Sequence, residues 1–286
     1  MQRKYLVMAW TCLKAFLARA SRHQRSVMRK LLILAFSLFS VVSMADDEAI
    51  GDLFRRDSVT GTMVIQSLNH GTTYVWNQDR AKRRFASAST FKIFNTLIAV
   101  EEDIVDPVND KFIWDGTQYE FMNWNQTLTL PMAYKVSCVW CYQKIAERVG
   151  AAKYLNYLRT AQYGEISLPL EATTFWLDGS FRVSAVDQIE FLKKLYNQSL
   201  PYKSTSYDAL KLIMKSESGP DYQIYAKTGW ARRVDPEIGW YVGYVETNND
   251  VWFFAMNMDI GSAKQLELRQ KITLKTLEAK GVIGKP

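Results

Sequence analysis

Histidine is nearly absent from this chain of 286 residues, which contains only His23 and His70. His23 falls in a segment that we expect to be removed before the protein folds. A serine nucleophile needs a neighbouring group that accepts its proton. A serine–histidine–carboxylate site could therefore use only His70, which lies in the predicted turn of a hairpin. The scarcity of histidine directs attention to other bases, above all lysine.

Cysteine is also scarce, with Cys12 near the start and Cys138 and Cys141 in a C-x-x-C pair. A thioredoxin-like site would need this pair near a βαβ pattern, but the pair sits in a helical pattern, Val139–Val149. Two thiols cannot complete a structural zinc site. Side chains three apart on a helix have Cβ atoms about 5–6 Å apart, whereas a disulfide needs about 3.8 Å. We therefore expect two buried, reduced cysteines and no metal site.

Acidic residues are missing from residues 1–45, and this changes the meaning of the net charge of +7. Eight of the 36 basic residues lie in this segment, against none of the 29 acidic residues. The rest of the chain is close to neutral, so its composition offers no electrostatic case for binding nucleic acid.

Residues 1–45 have the features of a leader with an export signal. Arg29-Lys30 supplies the charged start, Leu31–Val42 the apolar run, and Ser43-Met44-Ala45 the small-x-small cleavage pattern. Met28 would be a conventional start, so we expect the true chain to begin there. The apolar run is too short to span a bilayer comfortably, and no stable membrane span is expected after cleavage near Ala45. The alternative is an uncleaved amphipathic anchor.

Strand patterns lie near both ends of the predicted mature chain, with helical patterns between them. The predicted strands are Thr62–Ser67, Thr72–Trp76, Tyr222–Lys227, Gly239–Thr247 and Val251–Met258. The predicted helices are Ser89–Glu102, Val139–Val149, a segment from a Ser184–Asp187 capping box to Tyr196, Tyr207–Lys215 and Ala263–Lys280. This order predicts an α+β (mixed α/β) fold: a central antiparallel sheet built from both chain ends, flanked by helices, with a mostly helical insertion at about 107–220.

The tetrapeptide Ser89-Thr90-Phe91-Lys92 opens a predicted helix and combines a nucleophile with a candidate base. Ser89 and Lys92 are three residues apart, so their side chains share one helix face and can touch. Because a lysine three residues after a serine is also expected by chance in a chain of this length, this motif alone assigns no function.

Three further elements could line a crevice between sheet and insertion. Lys227-Thr228-Gly229, before Trp230, could hold a carboxylate, although such a triplet is more often an ordinary strand-to-turn boundary. Ser137 precedes a helix and is either an N-cap or a site hydroxyl. Arg269 lies in the last helix and, taken alone, is a solvated helix residue.

Together these motifs occur in one order along the chain. The set comprises Ser89-Thr90-Phe91-Lys92, Ser137-Cys138-Val139, Tyr163-Gly164-Glu165, Phe175-Trp176-Leu177, Lys227-Thr228-Gly229-Trp230 and Arg269. The order and spacing resemble those of the class D β-lactamases, the oxacillinase group of penicillin-recognising serine enzymes, over nearly all of the mature chain. The resemblance implies a β-lactamase/transpeptidase-like fold, a single catalytic unit over residues 46–286, and a periplasmic location.

The resemblance also implies roles in the hydrolysis of a small β-lactam substrate. Ser89 would attack the lactam carbonyl, and backbone N–H groups of Ser89 and Trp230 would form the oxyanion hole. Ser137 would relay a proton to the departing nitrogen. Lys227, Thr228 and Arg269 would bind the substrate carboxylate, with Gly229 beside them.

In this family the base is a lysine that carries a carbamate made from CO₂, which here would be Lys92, and no dissociable cofactor is required. An apolar pocket depresses a lysine pKa and favours the free amine that reacts with CO₂. Trp176 would donate its indole N–H to the carbamate. Val139 and Phe91 would keep the pocket dry. Further residues fall where the family lines its cleft, with core packing as the alternative for each: Met122, Trp124, Tyr142 and Leu177.

The chain departs from the family pattern at several positions. Glu165 stands where the family often has asparagine. Ser87 stands where the family usually has a proline, two residues before the nucleophile, and Phe94 stands where it often has a proline inside the helix. Arg232 and Arg233 add positive charge near the expected rim of the site. We expect these arginines to affect substrate range, but the sequence does not predict the direction.

Two other functions remain open from the sequence. A β-lactam sensor domain would stay acylated, and it would need membrane helices and a signalling partner, which this chain does not show before it ends. A penicillin-binding transpeptidase shares the catalytic serine and lysine and the K-T-G motif, but it usually lacks the tryptophan that supports a carbamate. Deacylation separates a hydrolase from both alternatives. The oligomeric state is not predicted.

Overall fold

The computed structural model describes residues 46–284, so the predicted leader, the start at Met28 and the cleavage site lie outside the described residues. The α-helices are α1 (Glu48–Arg56), α2 (Gln78–Lys82), α3 (Lys92–Glu101), α4 (Leu130–Lys135), α5 (Val139–Val149), α6 (Ala151–Ala161), α7 (Ala185–Tyr196), α8 (Ser204–Met214) and α9 (Leu268–Ala279). The strands are β1 (Gly61–Ser67), β2 (Thr73–Trp76), β3 (Phe85–Ala86), β4 (Lys111–Phe112), β5 (Leu128–Thr129), β6 (Glu165–Ile166), β7 (Phe181–Val183), β8 (Lys215–Ser218), β9 (Tyr222–Ala231), β10 (Glu237–Thr247) and β11 (Val251–Ile260). Short 3₁₀ helices cover Ala88–Phe91, Met122–Trp124 and Ala263–Glu267.

The central sheet has six strands in the order β2-β1-β11-β10-β9-β8. Every neighbouring pair in it is antiparallel. The first and last strands in sequence are adjacent: β1 pairs with β11 from Gly61 opposite Met258 to Ser67 opposite Trp252. The sheet is therefore built from both chain ends, which confirms the predicted fold class.

Both faces of the sheet are buried, which explains the nearly continuous apolar run of β11. Successive side chains of a strand point to opposite faces. Phe253 and Ala255 join the core on the side of the helical insertion. Phe254 and Met256 join a second core together with residues of α1 and α9. One face thus carries the two terminal helices, and the other faces the elements that form the site.

Helix α3 runs through the larger core, and its residues from Lys92 to Ala99 are all buried. Phe91, immediately before it, makes edge-to-face contacts with Phe175 and Phe181. Phe94 packs on Phe191, with ring centres 4.9 Å apart. This aromatic packing fixes the start of α3, and with it the direction of the polar groups there.

Several element boundaries differ from those predicted. Strand β9 continues past Lys227 to Ala231, so the K-T-G triplet lies inside a strand and not at its end. The last helical segment begins with a 3₁₀ helix, and α-helix starts only at Leu268. The insertion contains the short strands β4 to β7, which are two or three residues long. Such segments are too short to show the alternation that identifies a strand in sequence.

Within residues 46–284, no helix is long and apolar enough to cross a membrane. The same part of the chain has no group of three histidine, cysteine or acidic side chains that could hold a metal ion.

Candidate active site

The candidate nucleophile lies at the junction between a 3₁₀ turn and α3. Ser89 belongs to the 3₁₀ helix, and Lys92 is the first residue of α3. Lys92 Nζ donates to Ser89 Oγ at 3.2 Å. Ala88, directly before the serine, has φ of 48°, a left-handed conformation that non-glycine residues rarely adopt. The predicted contact between nucleophile and lysine is present in the structure.

Lys92 is fully buried, with no exposed surface. Burial disfavours the charged ammonium and lowers the pKa of Lys92 well below its ordinary value, and the positive charge of Lys227 lowers it further. Its Nζ lies 4.8 Å from the ring centre of Tyr142, so an aromatic face forms part of its pocket. The neutral amine is therefore favoured at this position.

Ser137 and Lys227 form the second polar pair of the site. Lys227 Nζ donates to Ser137 Oγ at 2.6 Å and to the Thr228 carbonyl oxygen at 3.1 Å. Ser137 has φ of 56° and precedes the helix cap, so its hydroxyl contacts the lysine instead of capping α5. Burial, together with the nearby charge of Arg269, lowers the pKa of Lys227 to about 7. The pair joins the insertion to strand β9.

Arg269 reaches the same region from α9. Its Nη1 donates to the Gly229 carbonyl oxygen and its Nε to the Leu266 carbonyl oxygen, each at 2.6 Å. Burial lowers the pKa of Arg269 to about 10, so the guanidinium stays charged at neutral pH. Gly239 makes room for it, because a Cβ there would lie 2.8 Å from Arg269 Cδ. Arg269 is thus a part of the site and not a solvated helix residue.

These groups meet at a cleft of about 650 Å³ between β9 and the insertion. Its lining includes the following predicted residues: Ser89, Trp124, Ser137, Val139, Leu177, Thr228, Gly229, Trp230 and Arg269. Lys92, Trp176 and Lys227 are buried beside it. The sequence did not indicate Tyr119, Glu120, Phe121, Val136 or Leu266, which also line it. Their positions in the sequence gave only a weak indication: Tyr119, Glu120 and Phe121 lie shortly before Trp124, and Val136 lies directly before Ser137.

Two predicted cleft residues are not in the lining. Met122 is 76% exposed, in the 3₁₀ helix before Trp124. Tyr142 is fully buried and shares a hydrogen bond of 2.6 Å with Thr96. Tyr142 is therefore a core-packing residue, the alternative given for it above. Its ring forms part of the pocket around Lys92 Nζ.

Trp176 is fully buried, and its indole ring stacks on Phe91 at a centre distance of 6.0 Å. Its Nε1–H has no hydrogen-bond acceptor among the residues that the structure describes. A buried, unpaired N–H costs free energy and therefore calls for a partner.

Similarity to known proteins agrees with this geometry. The family model for the penicillin binding protein transpeptidase domain matches residues 55–278. Beta-lactamase OXA-48 from Klebsiella pneumoniae is 37% identical over 262 residues, which cover 88% of this chain and 99% of that protein. FUS-1 (OXA-85), a class D β-lactamase from Fusobacterium nucleatum subsp. polymorphum, is 34% identical with a TM-score of 0.81, covering 84% of this chain and 100% of that structure. The chain belongs to the class D β-lactamases.

The similarity also extends to a regulatory protein. BlaR1 from Bacillus licheniformis is 31% identical over 239 residues, 82% of this chain but only 39% of that longer protein. A sequence similar to this chain thus also occurs as part of a longer regulatory protein.

The departures from the class D pattern have structural explanations. Ser87 has φ of −69°, which proline could adopt, but its N–H donates to the Phe181 carbonyl oxygen at 3.4 Å, a bond that proline lacks. Phe94 fills the aromatic core described above. Glu165, at the exposed start of β6, lies 3.5 Å from Arg84 Nη1. The extra acid therefore has a cationic partner, and Arg84 binds Asp187 as well, at 2.8 Å.

The expectation of reduced cysteines is wrong, because the structure has a Cys138–Cys141 disulfide. The helical Cβ spacing of about 5–6 Å applies only where both residues lie on the helix. Instead α5 begins at Val139, and Cys138 is its N-cap with ψ of 112°. The Cβ spacing of a regular helix therefore does not apply to this pair, whose Cα atoms lie 5.5 Å apart, within the usual range for a disulfide. In this class D enzyme the bridge lies directly beside Ser137.

Removing the disulfide should destabilise the protein only moderately. A loop this short loses little entropy on closure, so we expect the Cys138→Ser/Cys141→Ser double variant to lose ~2 kcal/mol of stability, a fall of ~4–8 °C in Tm. Thermal unfolding with and without reductant measures this. Reductant should affect only the parent protein. A parent Tm that reductant leaves unchanged under denaturing preincubation would contradict the bridge.

Proposed function

We propose that this class D protein hydrolyses the β-lactam ring of penicillin-type antibiotics through an acyl-enzyme on Ser89, and so confers resistance. The observation that carries the proposal is the 3.2 Å contact between Ser89 Oγ at the cleft and the fully buried Lys92 Nζ below it. A serine needs such a base to become a nucleophile, and burial keeps this lysine from holding a proton permanently.

In acylation, Ser89 Oγ forms a bond to the lactam carbonyl carbon as its proton leaves toward the base position at Lys92. Backbone N–H groups of Ser89 and Trp230 stabilise the developing oxyanion. The bond between that carbon and the lactam nitrogen then breaks, and the nitrogen takes a proton from the Ser137 hydroxyl. Lys227 supports this step, because its Nζ lies 2.6 Å from Ser137 Oγ and can replace the proton.

The surroundings of Lys92 fit N-carboxylation by CO₂. Burial lowers the pKa of Lys92 and so favours its neutral amine, and the unpaired Trp176 Nε1–H offers a buried donor. When present, a carbamate on Lys92 supplies an oxygen base for serine activation and for the hydrolytic water. Phe91 and Val139 restrict access of bulk water to this pocket. The proposed steps use only side chains, backbone N–H groups, water and the CO₂-derived carbamate.

The substrate carboxylate would bind Lys227, Thr228 and Arg269 on the β9 side of the cleft. Trp124 and Leu177 would contact the rest of the substrate. Tyr142 would act only through packing, and Met122, which is exposed outside the cleft lining, would make no contact with it. Gly229 keeps β9 close to the nucleophile, since a Cβ there would lie 3.1 Å from Thr90 Cγ2.

This binding should depend on pH through Lys227. Its pKa in the free protein is lowered to about 7, so the ammonium is present below pH 7 and is lost as pH rises. We expect kcat/KM for a monoanionic penicillin to fall above pH ~7, mainly through KM, because bound carboxylate restores the charge. Initial rates from pH 5.5 to 9 measure this. In Lys227→Arg the fall in kcat/KM should be absent, and a fall that persists there would assign the titration to another group.

We further propose that residues 1–45 are a leader, that cleavage occurs near Ala45, and that residues 46–286 act in the periplasm as a single catalytic unit with a helical subdomain at about 107–220. Export agrees with the disulfide, since such bonds form in oxidising compartments. Mass spectrometry of the protein recovered from the periplasm tests the cleavage position.

Hydrolysis of benzylpenicillin by the purified mature protein tests the function directly, in CO₂-depleted buffer and with added bicarbonate. Repeated turnover that rises with bicarbonate is the expected result. A single stoichiometric burst, unchanged by bicarbonate, would contradict it and favour an acylated sensor, an alternative for which the similarity to BlaR1 is the specific observation, or a transpeptidase.

A further inference from the structure

The mouth of the cleft has more positive charge than one substrate carboxylate requires. Three arginines line it, Arg232, Arg233 and Arg269, against a single acidic residue, Glu120. Lys227 lies buried alongside. The proposed function uses Lys227 and Arg269 for one carboxylate, and this leaves the two arginines after β9 without a role.

Arg232 is already engaged. Its Nη1 lies 2.9 Å from Glu120 Oε2, on the opposite wall of the cleft. Its guanidinium also lies over the Trp230 ring at 4.5 Å and near the Phe121 ring at 5.7 Å. An ion pair and two aromatic contacts hold it across the mouth, so its charge is largely compensated.

Arg233 differs from its neighbour. It is exposed, it lines the same cleft, and within residues 46–284 no acidic oxygen lies within 4.0 Å of it. A guanidinium offers a planar pair of donors that matches a carboxylate. An uncompensated guanidinium at the wall of a binding cleft is suited to an anionic group on the ligand.

We propose that Arg233 binds a second carboxylate, carried on the side chain of the β-lactam, so that dianionic penicillins are favoured over monoanionic penicillins of similar shape. The inference rests on the proposed function. One carboxylate binds the Lys227 and Arg269 side of the cleft, and the second is met by Arg233. Glu120 does not repel it strongly, because Arg232 neutralises that carboxylate.

The test compares benzylpenicillin with its α-carboxy derivative, which adds one carboxylate to the same side chain. The measured quantity is the ratio of kcat/KM for the derivative to kcat/KM for benzylpenicillin, at low and at high salt. Arg233→Gln should lower this ratio by about fivefold to tenfold, the effect of one partly exposed charge-assisted hydrogen-bonded pair. Arg233→Lys should retain part of the ratio, because it keeps the charge but loses the paired donors.

Arg159→Gln is the matched control, because it removes the same charge from an exposed position on α6. It should leave the ratio unchanged. A ratio unaffected by Arg233→Gln, or an equal fall for both substrates that indicates only general attraction of anions, would overturn the inference. Benzylpenicillin turnover by the unaltered protein tests the proposed function separately, so failure of one is distinguishable from failure of the other.

Discussion

Replacing Lys92 by alanine should lower kcat for benzylpenicillin by about 10²–10⁴-fold, the usual contribution of a positioned general base. Lys92 is the basic side chain that contacts the nucleophile, at 3.2 Å, and it lies in a pocket closed to solvent. Ser89 would remain in place and could still acylate slowly, but hydrolysis of the acyl-enzyme would lack its base. The variant should therefore accumulate acylated protein.

Stopped-flow absorbance and intact-protein mass spectrometry separate these steps. The first gives the acylation burst, and the second detects the added mass of the substrate on the protein. Lys275→Ala, which removes an exposed lysine of α9, is the matched control and should behave as the parent. Near-normal turnover in Lys92→Ala would exclude Lys92 as the base.

Replacing Trp176 by phenylalanine should make activity depend strongly on bicarbonate. The change keeps an aromatic ring against Phe91 but removes the buried N–H that lacks a partner in the described structure. Loss of a hydrogen bond to a charged group costs about 1.5–3 kcal/mol. The bicarbonate concentration that gives half-maximal activity should therefore rise about 10-fold to 100-fold.

Trp240→Phe is the control for loss of a buried indole. Trp240 is also fully buried, but its Nε1 already donates to the Ala86 carbonyl oxygen at 3.0 Å. This variant should lose stability without gaining bicarbonate dependence. NMR with ¹³C-labelled bicarbonate provides a readout independent of turnover, since a carbamate signal should weaken in Trp176→Phe at fixed bicarbonate. An unchanged signal and unchanged half-saturation would contradict the proposed hydrogen bond.

The parts of the site that depend on local geometry could be predicted from the sequence. Helical spacing was enough to predict that Ser89 and Lys92 touch. The capping box at Ser184 also formed as predicted, with reciprocal bonds to Asp187 of 2.9 Å. The predicted sheet followed from strand patterns at both chain ends. In each case the signal lies within a few residues or in a repeating pattern.

The parts of the site that could not be predicted from the sequence depend on tertiary contacts. The disulfide formed because one cysteine precedes the helix by a single residue, a boundary that patterns do not resolve. The Glu120–Arg232 pair joins residues 112 apart in the chain, and no local sequence pattern predicts it. Tyr142 and Val139 lie on the same helix, but Tyr142 is buried in the core and Val139 lines the cleft. This difference depends on how the helix packs, so the sequence alone does not predict it.

The pairing of β1 with β11 has a consequence for how activity appears during folding. These strands are separated by almost the whole described chain, and closing such a long loop is slow compared with forming helices or hairpins. The nucleophile precedes the insertion, whereas Lys227 and Arg269 follow it. A nascent chain therefore has no complete anion site until β9 and α9 have docked, and enzyme activity should appear only with this long-range step of refolding.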